Sequence, residues 1–393
     1  MASIYIRYIA QLGVLKMIKN RKDFGSTAFI WDDSYFLHNA GDGALFEPVG
    51  GYVDANGSVE SPASKKRVVD LMRKSELLDE LVVVEPIAAT DEQLQYFHTK
   101  RHVDNVRELS KTGGHDCGDS AIVGKGSYEI AKLSAGGAIT AVKSVVEGTT
   151  KTAYALTRPP GHHAEADGGM GFCIFNNIVI AAEYAKRELG LKKILILDWD
   201  AHHGNGTEDA FYEDDSVLFI SIHQDNLEPI GRGKMTDTGR GKGAGYTINI
   251  PLHPASGDAV YQYVFEQIIE PAVAKFQPEL ILISAGQDAS IFDPLARMML
   301  SADGYRYMAT KMLELADTYA NGRLVCLHEG GYSAEYVPFC THAIIEAISG
   351  VETDVADPFI YALAGTGYDK MMAHQKARVD EIRDYHGLKN TKT

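Results

Sequence analysis

The chain has 393 residues, of which 45% are apolar and 23% charged. This is ordinary globular composition and excludes a long disordered, collagenous or coiled-coil design. A formal charge of −15 excludes a general nucleic-acid-backbone binder, because neutralising phosphates needs clustered Lys and Arg.

The opening segment, MASIYIRYIAQLGVLKMIKNR, is mildly apolar but broken by Arg7, Gln11 and Lys16. No small-residue cleavage pattern follows, so it reads as a short docking helix and not as a secretory signal. It would pack on the domain or on a partner subunit, which leaves a homo-oligomer open. LVVVE (81–85) predicts a strand, and residues 126–147 a long helix weakened at Gly136 and Gly137. TAYAL (152–156) predicts a strand, and residues 175–189 a helix ending at Gly190. KILILD (193–198) is a continuous apolar strand of the kind buried on both faces. VLFISI (217–222) and YTINI (246–250) are further strands, and residues 257–275 are helical. LILISA (280–285) and RLVCLH (323–328) are strands, followed by helices over 302–318 and 336–349 respectively.

Strands alternating with helices predict an α/β protein, a three-layer α/β/α arrangement around a mostly parallel sheet. No linker-like composition divides it, so one large domain is expected. The four cysteines (Cys117, Cys173, Cys326, Cys340) show no C-x-x-C spacing and read as reduced thiols of a cytoplasmic protein. No stretch reaches the roughly 18–20 apolar residues that span a bilayer, so no membrane partner is expected.

Parallel sheets bind ligands outside the carboxyl ends of their strands. Four strand ends here carry chemistry: Arg158-Pro159-Pro160-Gly161-His162-His163, then Asp198 to His203, then Gln287-Asp288, then Glu329-Gly330-Gly331-Tyr332. Asp200 and His202 lie two apart, so an extended segment points both to one side. With Asp288 they make a three-ligand set, which with one open position is the pattern of a catalytic Zn²⁺ site. The paired histidines suit proton traffic, one accepting from metal-bound water and one donating to a leaving amine.

Read together, TRPPGHHAEADGGMGFCIFNN (157–177), ILDWDAHHGNGTEDAF (196–211), SIHQD (221–225), SAGQDASIFDPLARM (284–298) and EGGYS (329–333) strongly resemble the histone deacetylase family. The likeness is to bacterial histone deacetylase-like amidohydrolases and class II deacetylases, and it begins near Met17. Residues 1–16 therefore read as an extension of a catalytic domain over 17–393. The resemblance implies an arginase/deacetylase-like fold and a zinc-dependent amidohydrolase acting on an acetylated amine, peptide or polyamine. Asp200, His202 and Asp288 would bind one Zn²⁺. His162 and His163 would be the catalytic pair, with Asp198 behind the first and Asn205 behind the second. Tyr332 would donate to the substrate carbonyl oxygen. Gly171 and Phe172 would line the acyl-lysine tunnel, with Gly330 and Gly331 beside the substrate. K⁺ or Na⁺ would sit at Asp198, Asp200, His202, Ser221 and Ile222, and a second ion at Phe211, Asp214, Val217 and Tyr246. Arg67 falls near an arginine that lines an inner acetate channel in relatives. Asp116 or Asp119 matches an aspartate that holds the substrate backbone at the rim.

Two departures bear on function. Asn205 stands where class I relatives have Asp, which predicts a lower pKa for His163. Glu228 aligns where relatives carry an aromatic tunnel wall, and would favour a cationic acetylpolyamine if it faces the tunnel; a loop shift would leave it in solvent. Leu295 points the other way, because polyamine-selective relatives have glutamate there. Two alternatives are weighed against the site. A binuclear manganese ureohydrolase needs Asp where this chain has Gly204 and Ser290, and an inactive acyl-lysine binder predicts a missing catalytic group, whereas none is missing.

Overall fold

The computed structural model describes residues 26–42, 49–54 and 57–388. The boundary expected at residue 16 lies outside them. Eight strands form the central sheet: β1 (Thr27–Ile30), β2 (Val82–Val84), β3 (Thr152–Ala155), β4 (Ile194–Asp198), β5 (Val217–Gln224), β6 (Thr247–Leu252), β7 (Leu280–Ala285) and β8 (Leu324–His328). Their order is β6-β5-β4-β7-β8-β3-β1-β2, and every pairing is parallel.

Alternating side chains feed two separate cores. Leu195, Leu197, Ile281, Ile283, Leu324 and Cys326 face one layer, which holds helices α1 (Ala63–Lys74), α4 (Ala302–Tyr319) and α5 (Val337–Ser349). Ile194, Ile196, Leu280, Leu282, Val325 and Leu327 face the other, with α2 (Ser127–Val146) and α3 (Asn177–Arg187). The period of two along each strand thus produces the three layers. The continuous apolar runs follow because both sheet faces are covered.

The strands and helices predicted from residue 80 onward are all present, with ends moved by a few residues; the short helix expected at the N-terminus lies outside the described residues. The 257–275 helix is two α segments, Asp258–Val264 and Glu270–Phe276, joined by a π-helical turn at Phe265–Ile269. Gly136 and Gly137 do not interrupt α2. A Cβ on Gly136 would stand 1.9 Å from the Ile87 carbonyl oxygen, and one on Gly137 2.5 Å from the Tyr35 hydroxyl. They are glycines because other chain segments pass against the helix. The strand β1 and helix α1, by contrast, were not among the predicted elements.

The strand order runs outward in both directions from β4 and β7, whose ends are paired at Asp198 and Ser284. Such a switch point opens a crevice at the carboxyl ends of the strands.

Candidate active site

The chain leaves β4 as Trp199-Asp200-Ala201-His202 and leaves β7 as Gly286-Gln287-Asp288. The Asp200 Oδ1 atom accepts the His202 N–H at 2.9 Å, which curls this loop and brings its imidazole back over the carboxylate. His202 Nδ1 then lies 3.1 Å from Asp200 Oδ1 and 2.9 Å from Asp288 Oδ2. Ligand atoms of all three residues fall within 4.8 Å of one another, and all three residues are buried. The approach is close enough to demand glycine beside it. A Cβ on Gly286 would meet Asp200 Oδ2 at 2.1 Å, and one on Gly330 would meet Asp288 Oδ2 at 2.5 Å.

Two buried carboxylates at this separation repel. Burial and the Asp200 charge push the Asp288 carboxyl well above its ordinary range. Burial also acts on Asp200, but the His162 and His202 charges hold it well below. A divalent cation between them would remove the conflict, and two carboxylate oxygens plus one imidazole nitrogen are donors that suit zinc. The residues therefore fit a single metal with one face open to the tunnel.

Beside this cradle the His162 and His163 rings stand 4.0 Å apart. His162 Nδ1 is 2.9 Å from Asp198 Oδ2, and His163 Nδ1 is 2.8 Å from Asn205 Oδ1. The Asn205 amide nitrogen donates to Glu165 Oε1 at 3.0 Å, which turns its oxygen toward His163. His163 must then carry its proton on Nδ1, leaving Nε2 as an acceptor. Burial favours the neutral form of both rings. The Asp200 and Asp198 charges override it at His162 and raise its pKa well above the ordinary value. At His163 the His162 and His202 charges add to burial, and its pKa falls well below. The corner before the pair is fixed by Glu329, whose Oε2 accepts the N–H groups of Gly161 and His162 at 2.7 and 3.2 Å.

A cavity of about 230 Å³ leads to these groups. Its lining includes His163, His202, Tyr332, Gly171, Phe172, Leu295, Glu228 and Asp119. The Phe172 and Tyr332 rings are 5.7 Å apart. Burial keeps the Tyr332 phenol protonated, with its pKa well above the usual value.

A model of the histone deacetylase domain matches residues 58–348. The chain belongs to the histone deacetylase family. It is 45% identical over 335 residues to a histone deacetylase-like amidohydrolase of Pseudomonas aeruginosa, covering 84% of this chain and 88% of that one. A probable deacetylase of Archaeoglobus fulgidus is 38% identical over 344 residues, covering 85% and 95%. Among solved structures, the histone deacetylase fold recurs in the HDA15 HD domain, with a TM-score of 0.77 at 29% identity, covering 92% of this chain and 97% of that one.

Not every residue expected from the family lies where the sequence suggested. Gly330 and Gly331 stand behind the carboxylates and Tyr332, off the tunnel wall: the Gly330 N–H donates to Asp200 Oδ2 at 2.9 Å. Arg67 is exposed and pairs with Glu335 at 3.0 Å, so it does not line an inner channel. The buried cation of that helix is Lys65. Asp116 is consumed by its own loop, accepting N–H groups from Gly118, Ser120 and Ala121, and Asp119 is the aspartate at the mouth. Glu228 is exposed yet does line the mouth, where its Oε2 accepts the Ile230 N–H at 3.1 Å.

At the first expected cation cluster, Asp198 and Ser221 are partners across β4 and β5, next to Ile222, Asp200 and His202. At the second, the Phe211 and Tyr246 carbonyls accept the Asp214 and Phe219 N–H groups, near Val217. The Asp214 carboxylate is taken by Lys186 at 2.5 Å, so an ion there would have to use main-chain oxygens. Asp293, in the FDPLARM segment, is a site residue that no strand end or metal-ligand spacing marks in the sequence. Its carboxylate accepts the N–H groups of Leu295 and Tyr332, both at 2.8 Å, and so joins the tunnel wall to the tyrosine.

Proposed function

We propose that the chain is a zinc-dependent amidohydrolase that cleaves the amide C–N bond of an acetylated primary amine, releasing acetate and the free amine. The reading is carried by one observation: Asp200, His202, Asp288, His163 and Tyr332 converge at the inner end of one tunnel. Bound by Asp200, His202 and Asp288, zinc would supply Lewis acidity toward the acyl oxygen and acidify a water.

The protein's own groups do the rest. His163 starts neutral, and its free Nε2 accepts the proton of the attacking water. The Nδ1–H bond to Asn205 keeps the ring in the required tautomer throughout. Tyr332 donates its phenol proton in a hydrogen bond to the oxyanion, and His162, charged through Asp198, favours that negative charge. His163 then returns its proton to the departing nitrogen. K⁺ or Na⁺ is assigned to the Asp198–Ser221 cluster, where it would offset buried carboxylate charge. The catalytic domain is taken as residues 17–393. Four free buried cysteines support a cytoplasmic, reducing setting.

The amine carrier has its own support. Asp119 and Glu228 line the mouth, and among the described residues no Lys or Arg does. This favours a carrier with a second positive charge, such as an acetylpolyamine, beside acetyl-lysine peptides. The test is a panel of acetyl-lysine peptides, acetylpolyamines and longer acyl-lysines with the zinc-loaded protein, with metal counting alongside. Release of acetate at one zinc per chain is expected. Two tightly bound Mn²⁺ per chain with urea release would overturn the reading in favour of a ureohydrolase, and substrate binding without turnover would indicate an acyl-lysine binder.

A further inference from the structure

Behind Tyr332 lies a group of charges that the chemistry above does not use. Lys65, on the first turn of α1, is only 1% exposed, as are Glu60 and Arg158. Arg158 grips Glu60 closely: its Nε donates to Oε1 at 2.9 Å, its Nη2 donates to the Glu60 carbonyl oxygen at 3.0 Å, and Nη2 lies 2.8 Å from Oε2 as an ion pair. Lys65 Nζ stands farther from the same carboxylate, 3.5 Å from Oε1. Two buried cations therefore share one carboxylate, and the arginine has the better geometry. His38 and His328 lie near this group, and both are held neutral by burial. The second buried carboxylate that faces Lys65 is Asp293, on the far side of the Gly331–Tyr332 peptide.

A buried ammonium in this state costs free energy unless its charge meets a need. The need is visible in the peptide bond between Gly331 and Tyr332. Its carbonyl oxygen accepts from Lys65 Nζ at 3.5 Å and from Ser64 Oγ at 3.3 Å. Its N–H donates to Asp293 at 2.8 Å. The peptide unit that carries the tyrosine is thus held at both ends, with a cation on its oxygen and a carboxylate on its nitrogen. Charge-assisted bonds of this kind fix orientation better than neutral ones. The same ammonium lies 5.9 Å from the centre of the Tyr332 ring. Gly331 itself has φ +133°, a region L side chains rarely adopt, so the loop is not held by a side chain of its own.

We infer that Lys65 is a positioning residue for the tyrosine: it clamps the Gly331–Tyr332 peptide and places an incompletely neutralised positive charge behind the phenol, where negative charge develops. This rests on the deacetylase reading of Tyr332. It separates Lys65 from residues that merely fill space, because its removal is expected to lower the rate without a matching loss of stability. Removing one partner of a buried pair usually destabilises, but Arg158 keeps Glu60 neutralised here, and an apolar isostere removes the cost of burying the ammonium, so stability should change little.

The test uses the full chain loaded with zinc. Lys65→Met is expected to melt close to the wild-type temperature, to lose about 10-fold in kcat and to keep KM within about 2-fold, a smaller loss than for a direct oxyanion donor. Lys65→Arg is expected to recover most of kcat. A second readout needs no turnover: difluorotyrosine placed at position 332 and titrated by ¹⁹F NMR. Its phenol should titrate about one pH unit higher in Lys65→Met than in wild type. An unchanged titration together with an unchanged kcat overturns the inference. So does a Lys65→Met protein that is slower only because it is less stable and that Lys65→Arg does not rescue. If wild type hydrolyses nothing in the substrate panel, the deacetylase reading fails, while the ¹⁹F titration still reports whether Lys65 acts on Tyr332.

Discussion

At the inner end of the tunnel Asp198, Asp200 and Asp288 are wholly buried, whereas at the mouth Glu228 is exposed. Asp198 ends β4, and Asp200 and Asp288 lie two and three residues beyond β4 and β7 of a sheet packed on both faces, and each is tied to another part of the site. Asp288 Oδ1 accepts the Ala201 N–H at 2.8 Å, and Asp200 Oδ2 accepts that of Gly330. The mouth is made of loops, and Glu228 is held there by one bond to Ile230, two residues away. Reaction chemistry is therefore placed on the rigid frame, and choice of substrate on segments that can change without disturbing it.

This contrast can be broken first at the inner end, where the largest effect is expected. Asp288→Ala should abolish tight metal binding and lower kcat/KM by more than the 10–100-fold typical of a supporting residue around a metal site. Metal content and kinetics measured on the same preparation check it; full zinc with near-normal turnover would remove Asp288 from the ligand set. An intermediate effect is expected one layer back. Asn205→Asp puts a carboxylate on the Nδ1–H of His163, which favours the imidazolium and raises its pKa. A base must be neutral to act, so the acidic limb of the pH–rate profile should move to higher pH by about one unit. A profile that stays in place would mean that His163 is not the base. The smallest effect belongs to the mouth. Glu228→Gln should reduce the preference for acetylputrescine over a neutral acetyl-lysine peptide by about 3-fold, and less at high salt. An unchanged ratio would show that the mouth carboxylate does not select.

How far the site could be read from the chain follows the same division. Asp200, His202, Asp288 and the His162-His163 pair were legible because each directly follows an apolar strand, and parallel sheets gather such ends in one crevice. Glu228 could not be placed, since its loop leaves β5 with no periodicity to fix its direction. Arg67 and Lys65 show the limit most clearly. They lie two apart on one helix, about 200° around its axis. The segment ESPASKKR offers Lys65, Lys66 and Arg67 as neighbouring basic residues, and only the docking of α1 on α5 selects which enters the core. Gly136 and Gly137 taught the same lesson, because their partners Ile87 and Tyr35 are distant in sequence.

The sequence by itself determined the α/β alternation, the family likeness and the chemical groups of the inner site, because these depend on local period and on residue type. Tertiary structure decided that Asp119 and not Asp116 reaches the mouth, that Glu165 turns the Asn205 amide toward His163, and that Lys65 and Asp293 hold the Tyr332 peptide from opposite sides. The reason is physical. A side chain's type is written at its own position, but its charge state, its hydrogen-bond partner and its direction are set by groups brought beside it from elsewhere in the chain.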